Sequence, residues 1–253
     1  KNYQVDLTDV IDPVDMDDEL IALKNQKNCN YIKYDLLDSN QNKIFDDDYD
    51  FIIHLAAIVG VENVLSDSYG VLHKNFLMLS KVINIAQSQI KRTKLVFTST
   101  SEVYAGSQYY QRIKYPTEEN TILTLPDLSS PRTSYMLSKI YGEAICHASN
   151  LDFLILRPHN IYGPRMGMKH VIPQLLKKIL LTPENGTLDV FSPNHTRTFC
   201  YVTYAAEKIL ELLEKPFENK LVLNLGVSEE EIKIKELAKI LIEVCNRKDI
   251  TIK

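Results

Sequence analysis

The 253-residue chain carries 45% hydrophobic and 25% charged residues, which excludes a disordered or fibrous chain and allows one large α/β domain, or a domain plus a small lobe. A net charge of −4 without a dense Lys/Arg block argues against a nucleic-acid surface. No run approaches the roughly 18 apolar residues of a membrane helix and the first residues do not resemble a signal peptide, so the expectation is a cytoplasmic protein with no membrane partner.

Taken in chain order, Tyr3 to Asp12 alternates and ends in carboxylates before Pro13, which reads as a strand with Asp9 or Asp12 at its carboxyl end. Asn30 to Leu37 reads as a second strand. Asp46-Asp47-Asp48 reads as a solvated turn, because the ligand pattern of a metal loop is missing after it. Phe51 to Ala57 is a continuous apolar run, expected of a parallel strand buried on both faces, and the small Ala56-Ala57 leaves room for a ligand. Phe76, Leu79, Ile83, Ala86 and Ile90 recur at helical spacing and predict a helix over 75–90. Lys94 to Thr98 is the next strand. This alternation predicts a doubly wound parallel sheet, whose ligands bind beyond the carboxyl ends of its strands. Asp9, Asp35, Ala56-Ala57 and Thr98 to Glu102 all fall at such ends, although hydroxyls and carboxylates also favour loops in general.

Residues 105–131 read as a long loop holding Pro116, Pro126 and Pro131, followed by a helix around Tyr135. Asp152 to Arg157 is a strand running into Pro158 to Arg165. Beyond it, helices over 171–181, 201–214 and 234–245, with short strands at 188–191 and 221–225, suggest a smaller lobe interleaved with the end of the sheet. The six histidines lack ligand-like spacing and read as structural or exposed. Cys29, Cys146, Cys200 and Cys245 lie far apart, with no metal spacing, and read as free thiols; no metal is expected.

Ser134-Tyr135-Met136-Leu137-Ser138-Lys139 is the stretch with chemical potential. A Tyr and a Lys four apart on a helix act on one small volume, and an ammonium beside a phenol favours the phenolate. Tyr135 then accepts a proton, while the hydroxyl of Thr100, at the end of a strand, holds the same substrate oxygen. Tyr-x-x-x-Lys also occurs at Tyr110/Lys114 and Tyr204/Lys208, so ordinary helix packing stands as the alternative. Tyr135 differs in lying between a strand that ends in hydroxyls and a strand that runs into Arg157-Pro158.

His54-Leu55-Ala56-Ala57, Asn75, Phe97 to Tyr104, Tyr135-x-x-x-Lys139-x-x-Gly142-Glu143, Leu156 to Arg165 and Arg197 to Val202 resemble, in order and spacing, the extended short-chain dehydrogenases. Among these the chain is most similar to NAD-dependent nucleotide-sugar epimerases, dehydratases and decarboxylases. The resemblance implies a Rossmann-like dinucleotide-binding domain over 1–160, incomplete at its amino end, and a mostly substrate-binding lobe over 161–253. It implies Tyr135 as the base on a sugar hydroxyl, Lys139 on the nicotinamide ribose, and Thr100 and Ser99 on the substrate. Asp9 falls where the family binds the adenosine ribose and Asp35-Leu36 where it touches adenine. Leu55, Ala56, Ala57, Asn75, Thr98 and Pro158 would line the dinucleotide, and Asn160, Arg165 and Arg197 would hold the substrate, with Asn160 and Arg197 on its diphosphate. A homodimer is a further family expectation.

The family removes hydride from a sugar carbon, usually C4, and the fate of the ketone separates its reactions. Dehydratases carry Asp-Glu where this chain has Ser101-Glu102, so dehydration is disfavoured. Thr100-Ser101-Glu102, with Glu102 a catalytic candidate, looks like the uronate decarboxylases, yet those place Arg after the Lys, where Ile140 stands. The expectation is therefore an NAD-dependent epimerase, with a decarboxylase or dehydratase as the alternative. Only eight glycines occur, roughly 3% against a usual ~7%, and no G-x-G-x-x-G is present. This predicts a fragment that begins inside a domain, or a relative that no longer holds NAD.

Overall fold

The computed structural model describes residues 3–38, 45, 48–215, 220–228 and 231–253. Asp46 and Asp47 of the acidic triplet lie outside them. In chain order come β1 (Val5–Asp9), a helical turn (Pro13–Asp15), α1 (Asp18–Lys24), β2 (Cys29–Lys33), β3 (Phe51–His54), α2 (Val61–Ser66), α3 (Ser68–Gln87) and β4 (Lys94–Thr98). A tight turn (Ser101–Tyr104), α4 (Ala105–Tyr109), α5 (Thr133–Ala148), β5 (Asp152–Pro158), β6 (Ile161–Tyr162) and α6 (Val171–Leu181) follow. The chain continues with β7 (Thr187–Leu188), β8 (Thr196–Arg197), β9 (Cys200–Tyr201), α7 (Val202–Glu214), β10 (Lys220–Leu225), β11 (Ile232–Lys233), α8 (Ile234–Val244) and β12 (Thr251–Ile252). The larger sheet has the order β10-β5-β4-β3, and β1 and β2 pair separately. The chain folds into two compact units, Lys1–Phe97 with Ser129–Phe153, and Thr98–Leu128 with Leu154–Lys253.

In the first unit β1 and β2 run parallel with Asp9 opposite Lys33, and β3 and β4 run parallel with His54 opposite Phe97. The apolar run at 51–57 is strand only to His54, and Ile53 is 45% exposed. Among the described residues β3 is the edge strand of its sheet, and its Ile53 side is open where the sequence suggested burial on both faces. The helix expected at 75–90 begins seven residues earlier, at Ser68, because Asp67 caps it by accepting from the Gly70 N–H at 2.8 Å. Its buried face is Val71, Met78, Leu79, Val82, Ile83 and Ala86, packed along α5, whereas Ile90 lies past the helix end and is exposed. Each such buried aliphatic side chain stabilises the fold by roughly 1.5–3 kcal/mol.

Gly142 is where α5 meets β4. A Cβ there would lie 2.4 Å from Phe97 Cζ and 3.0 Å from Leu79 Cδ2, so only a hydrogen fits. Gly142→Ala is expected to destabilise by about 1–2 kcal/mol, the overpacking outweighing the gain in helix propensity, and to displace the Phe97 ring. Urea unfolding of the purified variant checks this; an unchanged midpoint would mean that the ring yields freely.

In the second unit, α6 and α8 enclose an apolar core built from Leu175, Ile179, Leu188, Leu237 and Ala238. Residues 98–128 belong to this unit although they precede it in sequence. The tie is polar. Buried Arg157 donates to Tyr104 Oη at 2.6 Å and to the Glu119 carbonyl at 2.9 Å. Tyr104 Oη donates to Asn224 Oδ1 at 2.8 Å, while Asn224 donates through its backbone to Glu119 Oε1 and through Nδ2 to the Thr117 carbonyl. β10, β5 and the loop after α4 are thereby held together by one network. Among the described residues no helix is long and apolar enough to cross a membrane, and no group of three or more His, Cys, Asp or Glu could hold a metal.

Candidate active site

In the first unit Tyr135 and Lys139 share one face of α5, with Lys139 Nζ 5.9 Å from the centre of the Tyr135 ring and 5.1 Å from that of Phe97. Lys139 is only 5% exposed, and burial pulls its pKa down to about 8. The other two Tyr-x-x-x-Lys pairs are built differently. Lys208 also lies over Tyr204, at 5.3 Å, but it is half-exposed and paired with Glu211 at 3.0 Å. Tyr110 closes α4, and Lys114 lies beyond that helix. Only Lys139 has the desolvated ammonium that acts strongly on a neighbouring phenol.

His54, at the end of β3, stacks on Phe97 with ring centres 6.1 Å apart. Burial first and the Lys139 charge second lower its pKa to about 4. The unfolded chain takes up this proton near pH 6.5 and the folded chain near 4, so stability falls as pH drops through that interval, by about 3 kcal/mol in all. His54→Leu is expected to flatten the difference in unfolding free energy between pH 6.5 and 4. An undiminished slope in the variant would place the acid sensitivity elsewhere.

Beyond β3, Leu55 and Ala56 are exposed and Ala57 is half-buried, which leaves an open, small-residue surface at the strand end. Asn75 is read from sequence as a dinucleotide contact, but its side chain is engaged within the fold. Its Oδ1 accepts from the Ile58 N–H at 2.7 Å, and its Nδ2 donates to the Ile58 carbonyl at 3.1 Å and to Ser138 Oγ at 3.3 Å. It therefore fixes the loop after β3 to α3 and α5. Asp9 ends β1, exposed, with Oδ1 accepting from the Ile11 N–H; its carbonyl accepts from the Tyr34 N–H at 2.9 Å, which places Asp35 and Leu36 next to it in the chain. Asp35 Oδ1 accepts from the Leu37 N–H at 2.8 Å. Asp12, the alternative to Asp9, pairs with Lys33 at 2.7 Å. The exposed Asp9 carboxylate has the acceptor chemistry that a ribose hydroxyl takes, and Ala56-Ala57 leave room at the end of β3.

In the second unit Thr98, Ser99, Thr100, Ser101 and Glu102 run from β4 into the tight turn. Thr100 Oγ1 accepts from the Glu102 N–H at 3.2 Å, so this nearly buried hydroxyl is fixed and retains its own hydrogen as a donor. Glu102 is exposed, as is Arg165, whose φ of 65° is left-handed. Pro158 ends β5. Asn160, also left-handed at φ 41°, follows it, and the Cys200 N–H donates to its carbonyl. Arg197 lies exposed in β8, donating to the Thr196 carbonyl at 2.7 Å. His159, which the sequence assigns no part, stands between Ser101 and Asn160, at 3.0 and 3.2 Å. Its one signal in the sequence is its place beside Asn160 in a motif already singled out.

A parallel sheet with hydroxyls at one strand end and a Tyr and buried Lys on one helix defines a Rossmann-like α/β protein of the short-chain dehydrogenase kind. Residues 11–226 match the NAD dependent epimerase/dehydratase family, and the chain belongs to it. It is 31% identical over 219 residues to a UDP-N-acetyl-alpha-D-glucosaminuronate decarboxylase of Bacillus cytotoxicus, covering 83% of this chain and 64% of that protein. With an uncharacterised UDP-glucose epimerase of Bacillus subtilis it shares 29% identity, over 90% of this chain and 70% of the relative. The fold matches, at TM-score 0.74 and 26% identity, the UDP-glucuronic acid 4-epimerase of Bacillus cereus solved with UDP-glucuronic acid and NAD, over 92% of this chain and 71% of that one. It also matches a UDP-N-acetylglucosamine 4-epimerase of Methanobrevibacter ruminantium at TM-score 0.77 and 24% identity, over 98% and 76%.

Proposed function

We propose that this chain belongs to an NAD-dependent nucleotide-sugar epimerase that acts through transient oxidation of the sugar, at C4. The observation that carries the reading is the buried Lys139 beside Tyr135 on α5. NAD, when bound, accepts and returns the hydride. Tyr135 takes the proton from the sugar hydroxyl, its phenolate favoured by the Lys139 ammonium. Lys139 also holds the nicotinamide ribose. Thr100, fixed by the Glu102 N–H, donates to a sugar oxygen, with Ser99 beside it. Asp9 takes the adenosine ribose, Asp35 and Leu36 the adenine, and Leu55, Ala56, Ala57, Asn75, Thr98 and Pro158 line the dinucleotide, Asn75 also holding the loop at 58 in place. Arg197 and Asn160 hold the diphosphate, Asn160 also bracing that segment through the Thr198 carbonyl, and Arg165 is a further substrate contact. The same reading carries a cytoplasmic homodimer.

Uronate decarboxylation is the second reading. Thr100-Ser101-Glu102 and the 31% identity to a uronate decarboxylase favour it. One experiment separates the two. The purified chain is denatured and the released small molecules are assayed for NAD; the native protein is then incubated with UDP-N-acetylglucosamine and with UDP-glucuronic acid, and the products are read by proton NMR. A C4 epimer supports the first reading, whereas carbon dioxide and a pentose product support the second. Bound NAD with neither product, or no NAD in a folded protein, would overturn both for this chain.

A further inference from the structure

The His159 ring joins two segments of the second unit that carry substrate-facing candidates. Nδ1 lies 3.0 Å from Ser101 Oγ, and Nε2 lies 3.2 Å from Asn160 Nδ2. The same Asn160 Nδ2 donates to the Thr198 carbonyl at 3.0 Å. Turning that amide over would set Asn160 Oδ1 against the Thr198 carbonyl, two acceptors face to face, so the nitrogen is fixed where it stands. An amide nitrogen only donates. The atom it meets on His159 therefore accepts, and Nε2 carries no hydrogen. A neutral imidazole has one N–H, which must then be on Nδ1, and it donates to Ser101 Oγ. Burial and the nearby Arg197 hold the His159 pKa below its ordinary value, against a smaller opposing effect of Glu231, which agrees with a neutral ring.

The direction of every bond follows. Thr198 accepts from Asn160, Asn160 donates to His159, and His159 donates to Ser101. Ser101 Oγ is already an acceptor, and among the described residues it makes no other side-chain hydrogen bond, so its own hydrogen is available. We propose that His159 is a positioning residue that makes Ser101 an oriented hydrogen-bond donor to an oxygen acceptor on the sugar of the substrate. The proposal rests on reading Ser99, Thr100 and Glu102 as the substrate-bearing turn. It also gives physical meaning to Ser101 standing where dehydratases carry an acid: a hydroxyl whose lone pair is occupied can give a hydrogen bond, but it cannot act as the charged partner an elimination needs.

The test has two arms on the purified chain. Two-bond proton–nitrogen correlation NMR on histidine-labelled protein, with His159 assigned by His159→Phe, is expected to find Nδ1 protonated and Nε2 bare. A protonated Nε2 would overturn the network. Binding of UDP-glucuronic acid is then measured by calorimetry for wild type, Ser101→Ala, His159→Phe, the double variant and His159→Asn. The first two are each expected to weaken binding roughly tenfold and the double variant no further, since they remove the same hydrogen bond. His159→Asn, whose amide nitrogen replaces Nδ1, is expected to restore it. Independent losses, or a wild type that does not bind this sugar nucleotide, would overturn the role. Coupled losses in binding without any turnover would leave His159 in place and refute the proposed reaction alone.

Discussion

Tyr135→Phe is expected to lower turnover of the substrate 10²- to 10⁴-fold, about 3–5 kcal/mol in the barrier, while leaving the fold intact. The change removes one oxygen from a half-buried side chain and keeps the ring in its place on α5. The lost function is proton acceptance, which a phenyl ring cannot perform. The loss should fall on kcat, because the sugar hydroxyl still has Thr100 to receive it. Tyr204→Phe is the matched control. It sits in the same Tyr-x-x-x-Lys pattern, with Lys208 5.3 Å over the ring, but that Lys is half-exposed and its charge is spent on Glu211. The control should turn over like wild type. Steady-state kinetics of both variants, with thermal unfolding alongside, decide the matter: equal activity in Tyr135→Phe and wild type would remove the base from the mechanism.

The pairing of Tyr135 with Lys139 was legible because it depends only on helical periodicity, which four residues of sequence express. Thr100 was read for a similarly local reason, as a hydroxyl at the end of a strand; that it also caps the turn after β4 was not read. What distinguishes this Tyr–Lys pair from the two others was not legible. Lys139 is buried because Phe97, 42 residues before it on β4, packs against Gly142 and lies under the Lys139 ammonium, and no local pattern records that contact. The hydrogen bonds of Asn75 were not legible either: its amide is engaged by Ile58 and by Ser138, 17 and 63 residues away.

The fold shows the same division. Alternating strands and helices were readable, including the parallel sheet, whereas the cap at Asp67 shifted the start of α3 and the edge position of β3 exposed Ile53. The return of residues 98–128 to the second unit hangs on Tyr104 meeting Asn224, 120 residues later, and on Arg157 meeting Glu119. Buried polar bonds of this kind join residues whose types are common in loops, so the sequence offers nothing periodic to read. His159 was passed over for that reason: its partners are a serine and an asparagine, and its role lies in the order of donors and acceptors.

Lys139→Met is expected to abolish most turnover and yet to make the protein more stable at neutral pH. The folded chain gives up the Lys139 proton near pH 8, whereas an unfolded lysine holds it to about 10.4. Between those values the unfolded state binds more protons, so wild-type stability rises with pH; below pH 8 the buried charge costs about 3 kcal/mol. Met keeps the apolar stem against Phe97 without the charge, and the contact with the aromatic face returns part of that cost to the wild type. The net gain at pH 7 should therefore be roughly 1–3 kcal/mol, closing as the pH approaches 10. Urea unfolding of both proteins at pH 7, 8.5 and 10 measures the difference directly. A variant less stable than wild type at every pH would mean that the ammonium is held by stronger partners than burial can offset, and the activation of Tyr135 by a destabilised charge would fall with it.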